Sequence, residues 1–263
     1  MRIEDTARLL VHGPTRWGTS RVWRSRTDRA GAEALIQRTI EEARAAGATR
    51  LVWHTGDAVS PPLLDDFLPR HGFEKTEDLD VLGFELGTEA RLILPDLPVP
   101  NDASARLVTD EDDLRLANAV EAGVFPASTR GEADTRAYLA GIADLPARGR
   151  ERPGEGDAPR VLRYLASVRN PVGEGEIAAT AGAEVAGETV RLWGAATLPR
   201  HRRRRAYNAL VAERCRHAHA LGATLALAKA NTASSAPILR SAGFRTVARE
   251  RRYALEIASA ADP

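Results

Sequence analysis

The chain has 263 residues, with 37 basic against 36 acidic side chains and a formal net charge of +1. That length allows a substantial core and two domains, and the near-cancellation of charge argues against a nucleic-acid binder with a uniformly basic surface. A single cysteine, Cys215, excludes an internal disulfide and a cysteine-based metal cluster.

No apolar run approaches the roughly 18 residues of a membrane span. The opening MRIEDTARLLVHG has no signal-peptide pattern, so the expectation is a soluble cytoplasmic protein with no membrane partner. Residues 20–24 read as a strand. Residues 30–46 read as a helix with Leu35, Ile36, Ile40 and Ala43 on one side and Gly47 as its stop. A short strand at 50–54 follows. Pro61 and Pro62 then open a second helix with Leu63, Leu64, Phe67 and Leu68 on its apolar face, ended by Gly72. Residues 79–86 form a further strand. The segment PDLPVPNDASA, residues 95–105, holds three prolines and little apolar content, as an interdomain linker does. The chain thus divides into domains at 1–94 and 106–263.

In the second domain Thr109 can cap a helix with acids in its first turn that runs to about Val124. Another helical pattern covers 132–143. Residues 146–159 are rich in glycine, proline and charge without periodicity, and read as a mobile loop. Strands are expected at 161–168, 176–185 and 189–197. After an arginine-rich turn, Tyr207, Leu210, Val211, Cys215, Ala218 and Leu221 keep a helical spacing. Cys215 falls on that stripe, where a small core residue is expected rather than a nucleophile. His217 and His219 are two apart on the helix and face apart, which does not make a metal pair. A strand at 224–229, a helix at 234–241 and a strand pair around 245–257 follow.

The turn before the long helix breaks a local rule. Arg200, His201, Arg202, Arg203, Arg204 and Arg205 crowd a helix start whose unpaired N–H groups already form a positive end. A bound anion, above all a phosphate, would resolve the conflict. A solvated charged face and a nucleic-acid patch are the alternatives for the same residues.

The two halves also echo one another. GATRLVWHTGDAVSPPLLDDFLPRHGFEKTEDLDVLGFEL, from Gly47, parallels GATLALAKANTASSAPILRSAGFRTVARERRYALEI, from Gly222. Both read helix end, GAT, strand, loop, helix, Gly-Phe and strand. Only the second follows a basic turn; the first has SRTDRAG there.

Taken together, Thr197-Leu198-Pro199, the loop Arg202 to Tyr207, Asn231 after its strand and Gly243-Phe244 resemble the signature of the GNAT superfamily of acyl-CoA-dependent N-acyltransferases. The resemblance covers residues 104–258 well and about 20–95 weakly. It implies an α/β fold of two GNAT-like mixed-sheet domains in tandem, the first truncated and degenerate. It further implies an acetyl-CoA cosubstrate, no metal, and a small-molecule amine acceptor, in a monomer or homodimer. The helix-start N–H groups of Arg202, Arg203, Arg204, Arg205, Ala206 and Tyr207 would cradle the CoA pyrophosphate. Ala195, Ala196 and Thr197 would present a strand edge to the pantetheine amides, with an N–H near Ala196 polarising the thioester carbonyl. Gly194 would mark a bulge, or else a close packing contact. Asn231 and Ser235 would complete the cofactor side.

Four positions depart from the pattern. Arg205 stands where the loop has glycine, tolerable for a side chain if its φ is helical, and Tyr207 stands where a small residue is usual. The tyrosine acid that would lie four residues before Gly243 is Leu239, and the strand position of the glutamate base holds Trp193. Replacement catalytic candidates are Glu184, Glu188, Ser235 and Tyr253, with Tyr164 also bordering the cleft. Exposed hairpin carboxylates and a capping role for Ser235 are the competing explanations. Two other functions fit the same features: a non-catalytic CoA-binding or interaction protein, and an aminoacyl-tRNA-dependent transferase whose arginines grip RNA phosphates.

Overall fold

The structure, a computed structural model, describes residues 2–5, 7–12, 18–57, 59–125, 132–143, 160–170 and 172–257; the loop expected at 146–159 lies outside them. The chain begins with strands β1 (Arg2–Glu4), β2 (Arg8–His12) and β3 (Thr19–Ser25), then helix α1 (Ala32–Ala45) and strand β4 (Arg50–Gly56). Helix α2 (Leu64–Phe67), a 3₁₀ turn at Leu68–His71 and strand β5 (Glu74–Glu85) follow. A small hairpin, β6 (Gly87–Thr88) and β7 (Arg91–Leu92), precedes β8 (Ala103–Leu107) and helices α3 (Glu111–Val124) and α4 (Glu132–Ala143). Strands β9 (Arg160–Arg169), β10 (Gly175–Ala186) and β11 (Thr189–Thr197) lead through a 3₁₀ turn at Pro199–His201 into helix α5 (Ala206–Ala220). Strand β12 (Leu225–Asn231), helix α6 (Ser235–Ser241) and strand β13 (Arg245–Glu256) come last.

Two compact units result, and they do not follow the sequence division at 94 and 106. Unit 1 gathers Met1–Val81, Ala230–Pro237 and Thr246–Pro263; unit 2 gathers Leu82–Lys229 and Ile238–Arg245. The reason is strand pairing. The C-terminal β13, a single strand rather than the expected pair, lies antiparallel to β4 from Glu250↔Gly56 to Glu256↔Arg50. The proline-rich 95–105 segment is not a free linker either: Asp96 N–H donates to the Ala242 carbonyl, and Ala103–Leu107 is a strand paired with β9.

In unit 1 the strand order is β1-β2-β3-β4-β13, with the first part of β5 beside β13. Strands β3 and β4 are parallel from Thr19↔Arg50 to Val22↔Trp53, as a helix crossover requires. The α1 stripe Leu35, Ile36 and Ala43 is buried as the spacing predicts, packing with Leu10, Val22, Trp53, Leu64, Phe73 and Tyr253. Strands β1 and β2 lack a sequence signal beyond the short RLLVH run.

In unit 2 strands β8, β9, β10 and β11 are antiparallel neighbours, and β12 lies beyond β11. Successive β9 side chains alternate between faces. Tyr164 meets His217 of α5, whereas Arg163 meets Glu121 of α3. Helices α5 and α3 therefore cover opposite faces. Helix α3 is capped by Asp110, not Thr109: the Asp110 carboxylate accepts the Asp113 N–H at 2.8 Å.

Each half of the chain repeats the echoed order. In the first half, α1, β4, α2 and β5 follow a parallel partner strand, as α5, β12, α6 and β13 follow β11 along the chain. Both helix-ending glycines, Gly72 and Gly243, have positive φ, +82° and +96°.

Candidate functional site

The site in unit 2 begins with an irregularity in β11. Its register against β10 steps from Gly182↔Trp193 to Thr180↔Ala196, so Gly194 and Ala195 oppose Ala181 alone. This is a bulge. Gly194 has φ +61°, and a Cβ there would meet nothing within 4 Å, so the glycine serves backbone conformation rather than close packing. On its other edge β11 pairs with β12 only from Thr189↔Leu225 to Leu192↔Ala228. Residues Ala195, Ala196 and Thr197 thus lie on the stretch of β11 that has left β12.

The arginine turn follows directly. Two of its residues, Arg203 and Arg205, have left-handed backbones, with φ +65° and +59°. The helical φ under which a side chain at Arg205 would be free of strain is not met: Arg205 keeps the conformation that glycine adopts most readily, although it carries a Cβ, and a strained residue of this kind points to function. The physical reason is the tight entry from the Pro199–His201 turn into α5, whose N-terminal residue Arg205 supplies no side-chain cap. The N–H groups of Arg203 to Tyr207 have no acceptor among the described residues. Those of Ala206 and Tyr207 open a 15-residue helix, whose dipole adds to their positive potential.

A pocket of about 200 Å³ opens here, lined by Thr197, His201, Arg202, Arg203, Arg205, Ala206, Tyr207, Asn208 and Ile238. Thr197 and five of the six expected cradle residues are thus brought together. Arg204 is not among them: its guanidinium donates to the Arg169 carbonyl and lies 3.4 Å from Asp102. Asn208 was missed in the sequence, where an asparagine on a helix carries no signal, and His201 was read only as part of the basic turn. His201 is buried; its Nε2 lies 3.1 Å from Arg200 Nε, which donates to it, and 3.4 Å from Glu176 Oε2. Burial, with Arg200 and Arg204, holds its pKa below the ordinary histidine value against the opposing pull of Glu176. Asn208 Nδ2 donates to the Pro98 carbonyl at 2.9 Å and ties the proline-rich segment to the helix.

The replacement acid–base candidates do not gather at this site. Glu184 is the cross-strand partner of Arg191 and is ion-paired with it, roughly 16 Å along the strand from Ala196. Glu188 lies in the turn before β11, at the far end from the pocket, where its carbonyl accepts from Thr224 and Leu225. Tyr164 is fully buried under α5, with its hydroxyl 3.2 Å from His217 Nδ1. Asn231, Ser235 and Tyr253 belong to unit 1. Asn231 Oδ1 accepts from Ala233 N–H, and Ser235 Oγ accepts from Asn231 N–H at 3.1 Å, so both organise the loop before α6. Tyr253 is a core residue whose hydroxyl is pushed up to about 12 by burial and by Asp65. Cys215 is likewise buried, its thiol pushed up to about 12 by burial. Leu239, in the acid position, is 1% exposed.

On the α3 face, Trp193, Gly182 and Arg163 form one row across β11, β10 and β9. The Trp193 indole extends over Gly182 towards the Arg163 guanidinium, 5.9 Å from the ring centroid. Arg163 donates to Glu121 at 2.7 Å, a buried ion pair. A second pocket of about 270 Å³ adjoins Arg163, walled by Leu114, Ala137, Tyr138 and Val161 with Asp134 and Thr135. Among the described residues no group of three or more His, Cys, Asp or Glu could hold a metal ion, and no helix is long and apolar enough to cross a membrane.

No protein-family model matches the sequence, and no curated protein matches it. Solved structures do match. A GCN5-related N-acetyltransferase from Kribbella flavida superposes with a TM-score of 0.65 at 19% identity, covering 100% of this chain and 91% of that one. One from Sphaerobacter thermophilus gives 0.66 at 19% identity, covering 98% and 79%. A tandem GNAT protein from the clavulanic acid biosynthesis pathway gives 0.54 at 15% identity, covering 91% and 75%.

Proposed function

We propose that this chain, which has the mixed α/β fold of the GCN5-related N-acetyltransferases, is a tandem protein that binds acetyl-CoA in unit 2 and transfers the acetyl group to a small amine. The observation that carries the reading is the row of N–H groups from Arg203 to Tyr207, without an acceptor among the described residues, beside an arginine-lined pocket next to the bulge of β11. Those donors and cations fit a diphosphate. The freed edge at Ala195–Thr197 fits an extended amide-bearing arm, since it offers strand hydrogen bonds that β12 no longer takes.

Unit 1 supports a division of labour. At the corresponding helix start, the Asp28 carboxylate accepts the Gly31 N–H at 2.8 Å. Unit 1 supplies its own anion there and keeps its helix start from an external phosphate.

When bound, acetyl-CoA would supply a thioester that an amine nitrogen can attack, with the thiolate as leaving group. The chain's contribution would be to orient it and to polarise its carbonyl with strand N–H groups near Ala196. The proton lost by the amine would pass to water, because Trp193 holds the base position and Leu239 the acid position. On this reading the partners are acetyl-CoA and a small amine, and the protein acts in the cytoplasm as a monomer or homodimer.

The same two residues favour a second reading, an acyl-CoA-binding protein without turnover. Calorimetry with acetyl-CoA tests the site, and thiol release with a panel of primary amines tests the chemistry. Absence of acetyl-CoA binding would refute both readings; binding without thiol release across the panel would select the second.

A further inference from the structure

Helix α5 carries an arginine in the core. Arg214 is 1% exposed. The groups that act on its charge are Tyr207, Cys215 and Tyr164, none of them a carboxylate. Among the described residues no carboxylate pairs with it; a buried cation so placed is costly, and an apolar side chain of similar size would fill the space at lower cost. Packing alone therefore does not account for the residue.

Its hydrogen bonds do. The Nε atom donates to the Leu210 carbonyl, one turn back in its own helix, at 3.0 Å. One terminal nitrogen donates to the Gly182 carbonyl at 3.0 Å and reaches the Trp193 carbonyl at 3.5 Å. Gly182 and Trp193 are the cross-strand pair at which the β10–β11 register breaks. A bulge turns backbone groups off the ladder, and buried carbonyls so displaced need another donor. The guanidinium supplies it from a planar fork whose geometry is fixed, with the Leu210 bond holding the fork in place.

We propose that Arg214 is a positioning residue for the acyl-CoA site: by pinning the Gly182–Trp193 carbonyls it fixes where β11 bulges, and so the left-handed turn at Gly194 and the direction of the Ala195–Thr197 edge. The inference rests on the acyl-CoA reading above and names the part of the ligand concerned. Arg214 serves the edge that would meet the pantetheine arm. It does not serve the arginine turn, whose N–H groups depend on the start of α5.

The separation can be measured by calorimetry on the full chain with two probes, acetyl-CoA and ADP, which has the diphosphate but no pantetheine. Arg214→Met should weaken acetyl-CoA roughly tenfold or more and leave the ADP Kd within about twofold. Arg214→Lys, which keeps the charge and loses the fork, should show a smaller but equally selective loss, and it carries the comparison if the methionine variant does not fold. Unchanged acetyl-CoA affinity, or equal weakening of both probes, would overturn the assignment and leave Arg214 a structural residue only. A parent protein that binds ADP but gains nothing from the rest of acetyl-CoA would also overturn it. A parent that binds neither would refute the acyl-CoA reading and this inference with it.

Discussion

The Trp193 indole lies so close over Gly182, its direct cross-strand partner, that a Cβ at position 182 would come within 2.4 Å of the ring. The absent side chain is thus what lets the indole reach Arg163. Gly182→Ala should overpack this row and cost about 1–3 kcal/mol. Urea unfolding monitored by tryptophan emission reads both the midpoint and the displaced ring; an unshifted midpoint would show that the indole moves aside freely.

The Arg163–Glu121 pair at the end of that row is buried on both sides, with side chains 3% and 10% exposed. Removing Glu121 takes from Arg163 a charge-assisted bond of 2.7 Å. Glu121→Ala is expected to lose about 1.5–3 kcal/mol, and the double change Glu121→Leu with Arg163→Met to recover part of it. A double variant no more stable than Glu121→Ala would argue against the lost charge pair as the cause.

Arg205 separates charge from backbone. Because its φ is +59°, Arg205→Gly should relieve strain and stabilise by roughly 1 kcal/mol. Acetyl-CoA affinity should stay within a few-fold, since Arg202 and Arg203 still line the pocket. Arg205→Glu should weaken it roughly 10- to 100-fold, less so at high salt. If the parent fails to bind acetyl-CoA and Arg205→Gly binds it, the arginine is a block, and the site is degenerate.

Alkaline stability has a defined sign. Burial pushes Cys215 from 9.0 up to about 12 and Tyr138 from 10.0 up to about 12, and burial with Asp65 does the same to Tyr253. Each raised value means that the fold favours the neutral form. The stabilisation is complete below the unfolded values, near 9 for the thiol and 10 for the phenols, and is lost as pH rises to about 12. The melting temperature should therefore begin to fall near pH 9, and Cys215→Ala should move the onset towards pH 10. A level profile to pH 11 would contradict the buried neutral states.

What could be read from the residues themselves was what depends on near neighbours. Leu35, Ile36 and Ala43 on α1, the stops at Gly47 and Gly72, the bulge glycine Gly194 and the cationic start of α5 follow from periodicity, backbone freedom and helix-end electrostatics. All of these act within a few residues. The resemblance carried by Thr197 to Tyr207 and by Gly243-Phe244 was legible for the same reason.

Tertiary structure alone decided the rest. Pairing with β4 takes β13 out of the C-terminal domain, and no local pattern encodes a partner so distant in the chain. Arg203 and Arg205 are left-handed because the turn must close onto α5, while Arg204, identical in sequence, is drawn off to the Arg169 carbonyl. Glu184 and Ser235 had the chemistry of acid–base groups, but their neighbours Arg191 and Asn231 engage them. Arg214, a charged residue on a helix, reads as solvated until the sheet covers it. Side-chain chemistry is local, but burial and hydrogen-bond partners come from segments far apart in the chain, so the sequence showed which groups were present and the fold determined which of them face one site.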